Sequence, residues 1–400
     1  MEKAIMEKSK VVKTDQPAAN MMGRLPQEII LRILSRLPIT SLVQSKLVCR
    51  AWRSLIRDPL LVSQHFSQMA DNDPSFILQS LRRAPYDQLY FTDFSDFSEG
   101  KVISMKPDNS SMLMSLEDSC NGLLCMRDSR GIYICNPFTR LSIELPKFIN
   151  YPPELGHLEF GFNPTKKEYK VIQILYRPQL EKRDRPYVNE STLVQSEVHV
   201  LTIGSPVWRN LGMISYHFIR QTSKFMVKGR LHWLCRPKKN TWATLLISFD
   251  LETEQFQEVP KPNCCDLVKC FQHLMVLRGC LCVGSSHNNK ELEVWVMKEY
   301  GMKESWVKEF NIGFYVPQTL QQKAFRRLSY PWVGFRNLFV QVVCILKSGQ
   351  IILEYRSQTL VLYDPQHGTF KELTFPGIPD WFKIVVHIGS LNCIDTPINF

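Results

Sequence analysis

The feature that most restricts the fold is a short pattern that returns along the chain after residue 75. Gly122-Leu123-Leu124-Cys125 precedes Ile132-Tyr133-Ile134-Cys135-Asn136-Pro137 and then Leu145-Pro146. Gly229-Arg230-Leu231-His232-Trp233 precedes Leu246-Ile247-Ser248-Phe249-Asp250, then Phe256 and Val259-Pro260. Gly279-Cys280-Leu281-Cys282-Val283 leads to Leu292-Glu293-Val294-Trp295-Val296, then Trp306 and Phe310. Gly349-Gln350-Ile351-Ile352-Leu353 leads to Leu360-Val361-Leu362-Tyr363-Asp364-Pro365, then Phe370 and Leu373. A variant runs from Gly161-Phe162-Asn163-Pro164 through Tyr169-Lys170-Val171-Ile172 to Val198-His199-Val200-Leu201 and Trp208. Each unit offers a glycine turn and a strand, a second strand ending near Asp or Asn, and a third with an aromatic residue, often near Leu-Pro. Glycine suits a reversal with positive φ. The Asx side chain can open the next turn by bonding backbone N–H groups ahead of it. The aromatic brings apolar area to bury against a neighbouring sheet.

A unit of three or four strands cannot bury both its faces, so the units must stack. Matching glycines stand 50 residues apart from Gly229 to Gly279 and 70 apart from Gly279 to Gly349. Repeats of about 50 residues suit kelch-like propeller blades, and the irregular spacing implies unequal loops. About six units fit after Phe76, counting a weak one at residues 76–118. The run Ile384-Val385-Val386-His387-Ile388 is placed to pair with the first unit. Such closure removes the sheet edges that invite aggregation. A β-sandwich is the competing use of strands at this spacing; repetition of one template favours the ring.

The chain upstream has a different period. Ile29, Ile30, Ile33, Leu34 and Leu37 recur at three to four residues, as on a helix. Pro26 suits a first helical turn, whose N–H groups have no partner within the helix. Glu28 suits the positive end of the helix, and Pro38 stops it by pushing Leu37 out of helical geometry. Thr40 or Ser41 is placed to cap a second helix with Leu42 and Val43. A third burst sets Val48, Cys49, Trp52, Leu55 and Ile56 on one face. Asp58-Pro59 opens one or two further turns with Leu60, Leu61 and Phe66. A unit of about 40 residues is marginal alone, so it completes its core with a partner or on the rest of its own chain.

Leu25-Pro26, Glu28, Ile33-Leu34, Leu37-Pro38, Leu42, Val48-Cys49, Trp52-Arg53 and Leu55-Ile56 stand in the order and spacing of an F-box, which this stretch resembles without a gap. The resemblance implies a substrate receptor of a Skp–cullin–F-box ubiquitin ligase, docking on a Skp-type adaptor and through it on a cullin. By position it implies adaptor contacts at Leu25, Pro26, Ile29, Ile33 and Leu37. It implies further contacts at Pro38, Leu42, Val48, Cys49 and Trp52, although Trp52 and others could instead hold the helices together. The region after residue 75 is similar to the F-box-associated domain of plant F-box proteins, a relative of the kelch propeller. Asn136-Pro137-Phe138-Thr139-Arg140, Gly229-Arg230-Leu231-His232-Trp233, Ser305-Trp306-Val307-Lys308 and Tyr363-Asp364-Pro365 carry that likeness. It departs from regular kelch repeats, since no unit has a Gly-Gly pair.

The expected fold is therefore an N-terminal all-α F-box of three short helices, then an all-β, kelch-like β-propeller of about six blades. Residues 1–22 form a mobile N-terminal tail, 23–68 the F-box, 69–75 a linker and 76–398 the propeller. With 44% hydrophobic and 22% charged residues, the composition is that of a folded chain. No apolar run approaches the roughly 18 residues of a membrane span. The N-terminus shows no apolar leader, so cytoplasm or nucleus is the expected location. The net charge of +11 would suit nucleic acid only if clustered, but the basic residues lie singly or in pairs, mostly beside acids. A solvated basic surface is expected.

Twelve cysteines without an export signal read as reduced, small core residues. Cys264-Cys265 with Cys270, and Cys280-x-Cys282, lack a matching second ligand pair, so no zinc site is expected. No phosphate-cradling glycine loop, nucleophile elbow or H-E-x-x-H pair occurs. No catalytic residue or cofactor is nominated, and a non-catalytic adaptor is expected. His199, His232 and His387 read as packed strand residues. Propellers bind with their loops, and two insertions stand out. They are Arg177 to Thr192, and Tyr315 to Trp332 with Tyr315, Arg326, Arg327, Tyr330 and Trp332. Tyr, Trp and Arg dominate binding hot spots, so Tyr315, Arg326, Arg327 and Trp332, with Trp242 as a further candidate, are the expected contacts to an unidentified protein target. The alternatives are a ligand- or glycan-binding propeller, or a scaffold bound to the Skp-type adaptor without ligase function.

Overall fold

The structure, a computed structural model, describes residues 25–81, 88–94, 103–105, 114–147, 156–178, 193–218, 225–237, 244–262, 271–287, 291–325, 340–374 and 379–392. The proposed tail at residues 1–22 lies outside them. Three short helices open the described chain: α1 (Gln27–Leu34), α2 (Ile39–Gln44) and α3 (Arg50–Leu55), with a 3-10 turn at Ser45–Leu47. Pro26 and Pro38 each stand at the cap position of the helix that follows. The second helix thus begins one residue after Pro38, not behind a Thr40 or Ser41 cap. Proline presets φ at the entry of each helix, and neither entry carries a side-chain cap bond. A fourth helix, α4 (Pro59–Ala70), exceeds the turn or two expected, and the Asp58 carboxylate accepts from Leu60 N at 2.9 Å to start it.

Six antiparallel sheets follow, their strands numbered in chain order. The first holds β1 (Ser75–Ser80), β2 (Leu89–Asp93) and β3 (Ile103–Met105), with β25 (Phe382–His387) paired to β1. The second is β4 (Ser115–Cys120), β5 (Leu123–Arg127), β6 (Ile132–Asn136) and β7 (Leu141–Glu144). The third is β8 (Gly156–Asn163), β9 (Glu168–Pro178), β10 (Leu193–Thr202) and β11 (Arg209–Ile214). The fourth joins β12 (Tyr216–Phe218) and β13 (Phe225–Val227), both on β14 (Arg230–Pro237), to β15 (Leu245–Asp250) and β16 (Phe256–Val259). The fifth is β17 (Phe271–Leu277), β18 (Cys280–His287), β19 (Glu291–Met297) and β20 (Trp306–Gly313). The sixth is β21 (Val340–Ile345), β22 (Ile351–Tyr355), β23 (Thr359–Asp364) and β24 (Thr369–Leu373). Neighbouring blades touch mainly through first strands: β4 lies beside β8 and β25, β17 beside β13 and β21, and β21 beside β25, while blades three and four meet through β10 and β12. Closure is as the sequence suggested, with Ser75 opposite His387 and Phe76 opposite Val386.

The repeated signals have local causes. Asn121-Gly122, Lys228-Gly229 and Arg278-Gly279 each hold two successive residues at positive φ, from 48° to 77°. That is the two-residue hairpin that follows the natural strand twist. The turns after the third strands of blades two, four and six open as anticipated: Asn136, Asp250 and Asp364 each accept two backbone N–H bonds from residues two and three ahead, and Asn163 does the same in the turn after the first strand of blade three. In four of the units the sequence pattern lacks one strand. In blades two, four, five and six the glycine turn leads the second strand, and the first strand precedes it.

Strand direction sorts the connections. The hairpins after first strands and the turns after third strands share one end of the ring, where β1 begins and β25 ends; the helices join there. The segments 179–192, 238–244 and 314–339 all start and finish at the opposite end. The helices pack their inner side on this ring. Leu31, Leu34, Ile39, Leu42, Ile56 and Leu61 form one apolar cluster with Ile77, Phe91, Leu124, Met126 and Leu391.

Asn136 is a test of how the end is tied. Its Nδ2 donates to the carbonyls of Ser390 and Asn392, both at 2.9 Å, while Oδ1 holds its own turn. Asn136→Ala strands two buried carbonyls, each worth about 1–3 kcal/mol. A stability loss of roughly 3 kcal/mol is the expected result in urea unfolding; a loss under about 0.5 kcal/mol would remove this tie from the closure.

Candidate functional site

The helical unit divides its apolar residues between two sides. On α1, Leu31 is 4% and Leu34 0% exposed, facing the core. Leu25, Ile29 and Ile33 are 39%, 40% and 41% exposed. Ile29 and Ile33, four residues apart on the helix, share one outward face, and Leu25, just ahead of the helix, extends the row. Beyond α2, Leu47 is 81% and Val48 64% exposed on and just after the 3-10 turn. Soluble chains rarely leave a run of large aliphatic side chains in water without a use for it. The flanking charges are mostly positive: Arg32, Arg36, Arg50, Arg53 and Arg57 are exposed, against Glu28 and Asp58. A partner face with apolar sockets and acidic rims fits this surface.

The expected adaptor contacts separate accordingly. Leu25, Pro26, Ile29, Ile33, Pro38, Val48 and Cys49 are exposed. Leu37 is half-buried, and its carbonyl meets His65 Nε2 at 3.0 Å. Leu42 is wholly buried and Trp52 half-buried, both against the internal cluster. Leu47, the most exposed large apolar side chain described, is not among the expected contacts. A helical period does not single it out, because it stands in a 3-10 turn that brings successive residues outward.

Of the candidate target contacts, Tyr315 is described. Its ring stacks on Phe370 with centroids 4.6 Å apart and planes 2° apart, and its hydroxyl donates to Glu372 Oε1 at 3.2 Å. It is thus tied to blade six just before the helix Gln318–Phe325. Arg326, Arg327, Tyr330, Trp332 and Trp242 lie outside the described residues.

His232 and His387 are buried in strands, as read from the sequence; His199 pairs with Glu197 at 3.2 Å. Among the described residues no group of three or more His, Cys, Asp or Glu could hold a metal ion. Cys264, Cys265 and Cys270 lie outside the described residues. Burial pushes the Cys135 and Cys282 thiols up to about 12, the opposite of a reactive thiolate. No described helix is long and apolar enough to cross a membrane.

Comparison with known proteins agrees with both halves. Residues 77–395 match the F-box associated beta propeller domain, and residues 22–71 match an F-box-like domain. The F-box protein At3g07870 of Arabidopsis thaliana is 40% identical over 395 residues, covering 94% of this chain and 93% of that one. The F-box/kelch-repeat protein At3g23880 of the same plant is 26% identical, with 86% of this chain and 89% of that one covered. The Arabidopsis F-box protein CPR1 is 23% identical, with coverage of 92% and 89%.

Proposed function

We propose, for a chain that belongs to the F-box proteins with an F-box-associated β-propeller domain, the role of substrate-recognition subunit in a Skp–cullin–F-box ubiquitin ligase. The observation that carries this reading is the outward row Leu25, Ile29 and Ile33, with Leu47 and Val48, on the F-box of the free chain. These side chains, with Pro26, Pro38 and Cys49, dock on a Skp-type adaptor, which links the chain to a cullin. Leu42 and Trp52 support that surface from within.

The target sits at the end of the ring away from the F-box. Support comes from topology: the segments with Trp242, Arg326, Arg327 and Trp332 begin and end there, as does the segment 179–192. Tyr315 anchors the start of one of them. Catalysis is positional. Holding the target in the same assembly as the charged conjugating enzyme turns a bimolecular encounter into a local one. No side chain of this chain takes part in bond making, and the setting is the cytoplasm or nucleus.

The test is assembly. The full chain, a Skp-type adaptor and a cullin are mixed and resolved by size-exclusion chromatography. One peak holding all three is the expected result. A peak with adaptor and chain from which cullin is excluded would replace the receptor by an adaptor-bound scaffold.

A further inference from the structure

We infer that residues 388–392 are a latch shared by the propeller and the F-box, so that ring closure and docking of the F-box are one event. This five-residue segment follows the closing strand β25 and crosses the end of the ring where the helices lie. Two sets of contacts meet on it. On the F-box side, Gly389 lies against Ile39, the first residue of α2; a Cβ at Gly389 would sit 2.6 Å from Ile39 Cγ2 and 3.0 Å from its Cβ. Real Cβ atoms do not tolerate the first distance, so the absence of a side chain is what allows the approach. Leu391, 2% exposed, joins the same apolar cluster as Leu34, Ile39 and Leu42.

On the propeller side the latch is held by blade two. Asn136 Nδ2 donates to the carbonyls of Ser390 and Asn392. Asn392 Nδ2 and Ser390 Oγ both donate to Asn121 O. The Ser390 side chain covers Gly122, where a Cβ would fall 2.0 Å from Ser390 Oγ. A second tie fixes the other side of the junction: Asp73 Oδ1, just after α4, accepts from Lys347 N of blade six at 2.7 Å.

Loss of either set removes part of the other's support. If α2 lifts, Gly389 and Leu391 lose their apolar cover; if the ring opens at β25, Ile39 loses its seat. Two sites joined by one packed element share a coupling free energy, and that coupling is reciprocal. An adaptor clamped on the outer side of α1 therefore steadies the latch from the far side of the helices. The F-box then holds the propeller at a fixed angle, which sets where the opposite end presents its cargo. This last consequence rests on the proposed receptor role; the latch itself does not.

Hydrogen exchange on the full chain tests it, without any partner. In Gly389→Val, exchange at 39–44 and at 388–392 is expected to accelerate together by about tenfold or more, while β14 and β15 of blade four keep wild-type rates. Adding Ile39→Ala to Gly389→Val makes room for the new side chain and is expected to return both segments toward wild type. That rescue separates a specific contact from general damage. Unchanged exchange at 39–44 in Gly389→Val would overturn the latch, as would acceleration spread equally over all six blades. If Gly389→Val does not fold, Ile39→Ala alone serves. Faster exchange at 388–392 with blade four unchanged supports the latch, and no change there overturns it. Capture of a Skp-type adaptor by the same variants is scored separately. A chain that passes the exchange test but binds no adaptor keeps the latch and loses the receptor reading.

Discussion

Ile29→Asp together with Ile33→Asp is expected to abolish capture of a Skp-type adaptor, by about a hundredfold or more, in a chain that still folds. The reason is geometric. Both side chains are about two-fifths exposed in the free chain, at 40% and 41%, so an aspartate there keeps access to water. In the proposed complex the same positions would be buried, and a desolvated, unpaired carboxylate is costly. Leu34→Asp is the control. Leu34 is 0% exposed and lies in the cluster that seats the F-box on the ring, so the charge is buried in the folded monomer itself. That variant loses the fold first and the partner as a consequence. Circular dichroism melts beside an adaptor pull-down separate the cases: an unmelted double mutant that still binds would place the contact surface elsewhere.

The second large effect is acid lability. Burial holds the His232 and His273 imidazoles down at about 4, and His387 at about 3. Each is neutral in the folded chain, and each spans a blade boundary. His232 Nε2 accepts from the Tyr300 hydroxyl at 2.8 Å, joining blades four and five. His273 Nε2 accepts from Val342 N at 3.4 Å, joining five and six. His387 Nδ1 meets Ser119 Oγ at 2.9 Å, joining one and two. The folded values lie below the ordinary 6.5, so beneath pH 6.5 the unfolded chain takes up protons that the folded chain refuses. Stability is therefore full above pH 6.5 and falls as pH drops toward 4. Each histidine adds a slope of about 1.4 kcal/mol per pH unit, and three together approach roughly 4 kcal/mol per unit.

Glu254 has the same sign further down. Arg209, with Lys170, holds its carboxyl at about 2, and that stability is lost as pH falls below the usual carboxylate range. The check is urea unfolding at pH 7.5, 6, 5 and 4.5. A steep fall beginning near pH 6 is expected, and substituting His387 by Gln should flatten it. A flat curve down to pH 4.5 would show that the imidazoles are protonated in the folded chain.

Where the sequence was legible, local chemistry decided the outcome. Proline at residues 26 and 38 and the Asx turns at Asn136, Asn163, Asp250 and Asp364 could be read because each acts on its own neighbours. Long-range pairing was not legible. By sequence alone Trp208 and Trp306 are aromatic area, and Leu145-Pro146 and Val259-Pro260 are strand ends. In the structure the Trp208 indole donates to Pro146 O, and the Trp306 indole to Pro260 O, both at 2.8 Å. Each tryptophan clips its blade to the one before it, over a separation that no local pattern reports.

The missed first strands have a related cause. β4 contains Glu117, Asp118 and Ser119 and lacks the apolar run used to find strands. Asp118 is nevertheless 6% exposed, because its carboxylate accepts from Ser119 N at 2.7 Å and from Phe160 N of the next blade at 2.9 Å. A charge buried by its neighbour's backbone looks like a loop residue until the neighbour is in place.

At the site, the composition of α1 was clear, but its division was not. Ile29, Ile30, Ile33 and Leu34 all fit one broad helical stripe, and only packing shows that Leu34 turns inward and Ile33 outward. Leu42 fits the surface set by its place in the motif, but α2 turns it fully inside.

The most direct measurement is calorimetric titration of a purified Skp-type adaptor with the full chain. Saturable one-to-one binding with Kd at or below about 1 μM is expected. No binding up to about 100 μM, by a chain whose melt is cooperative, would contradict the receptor role.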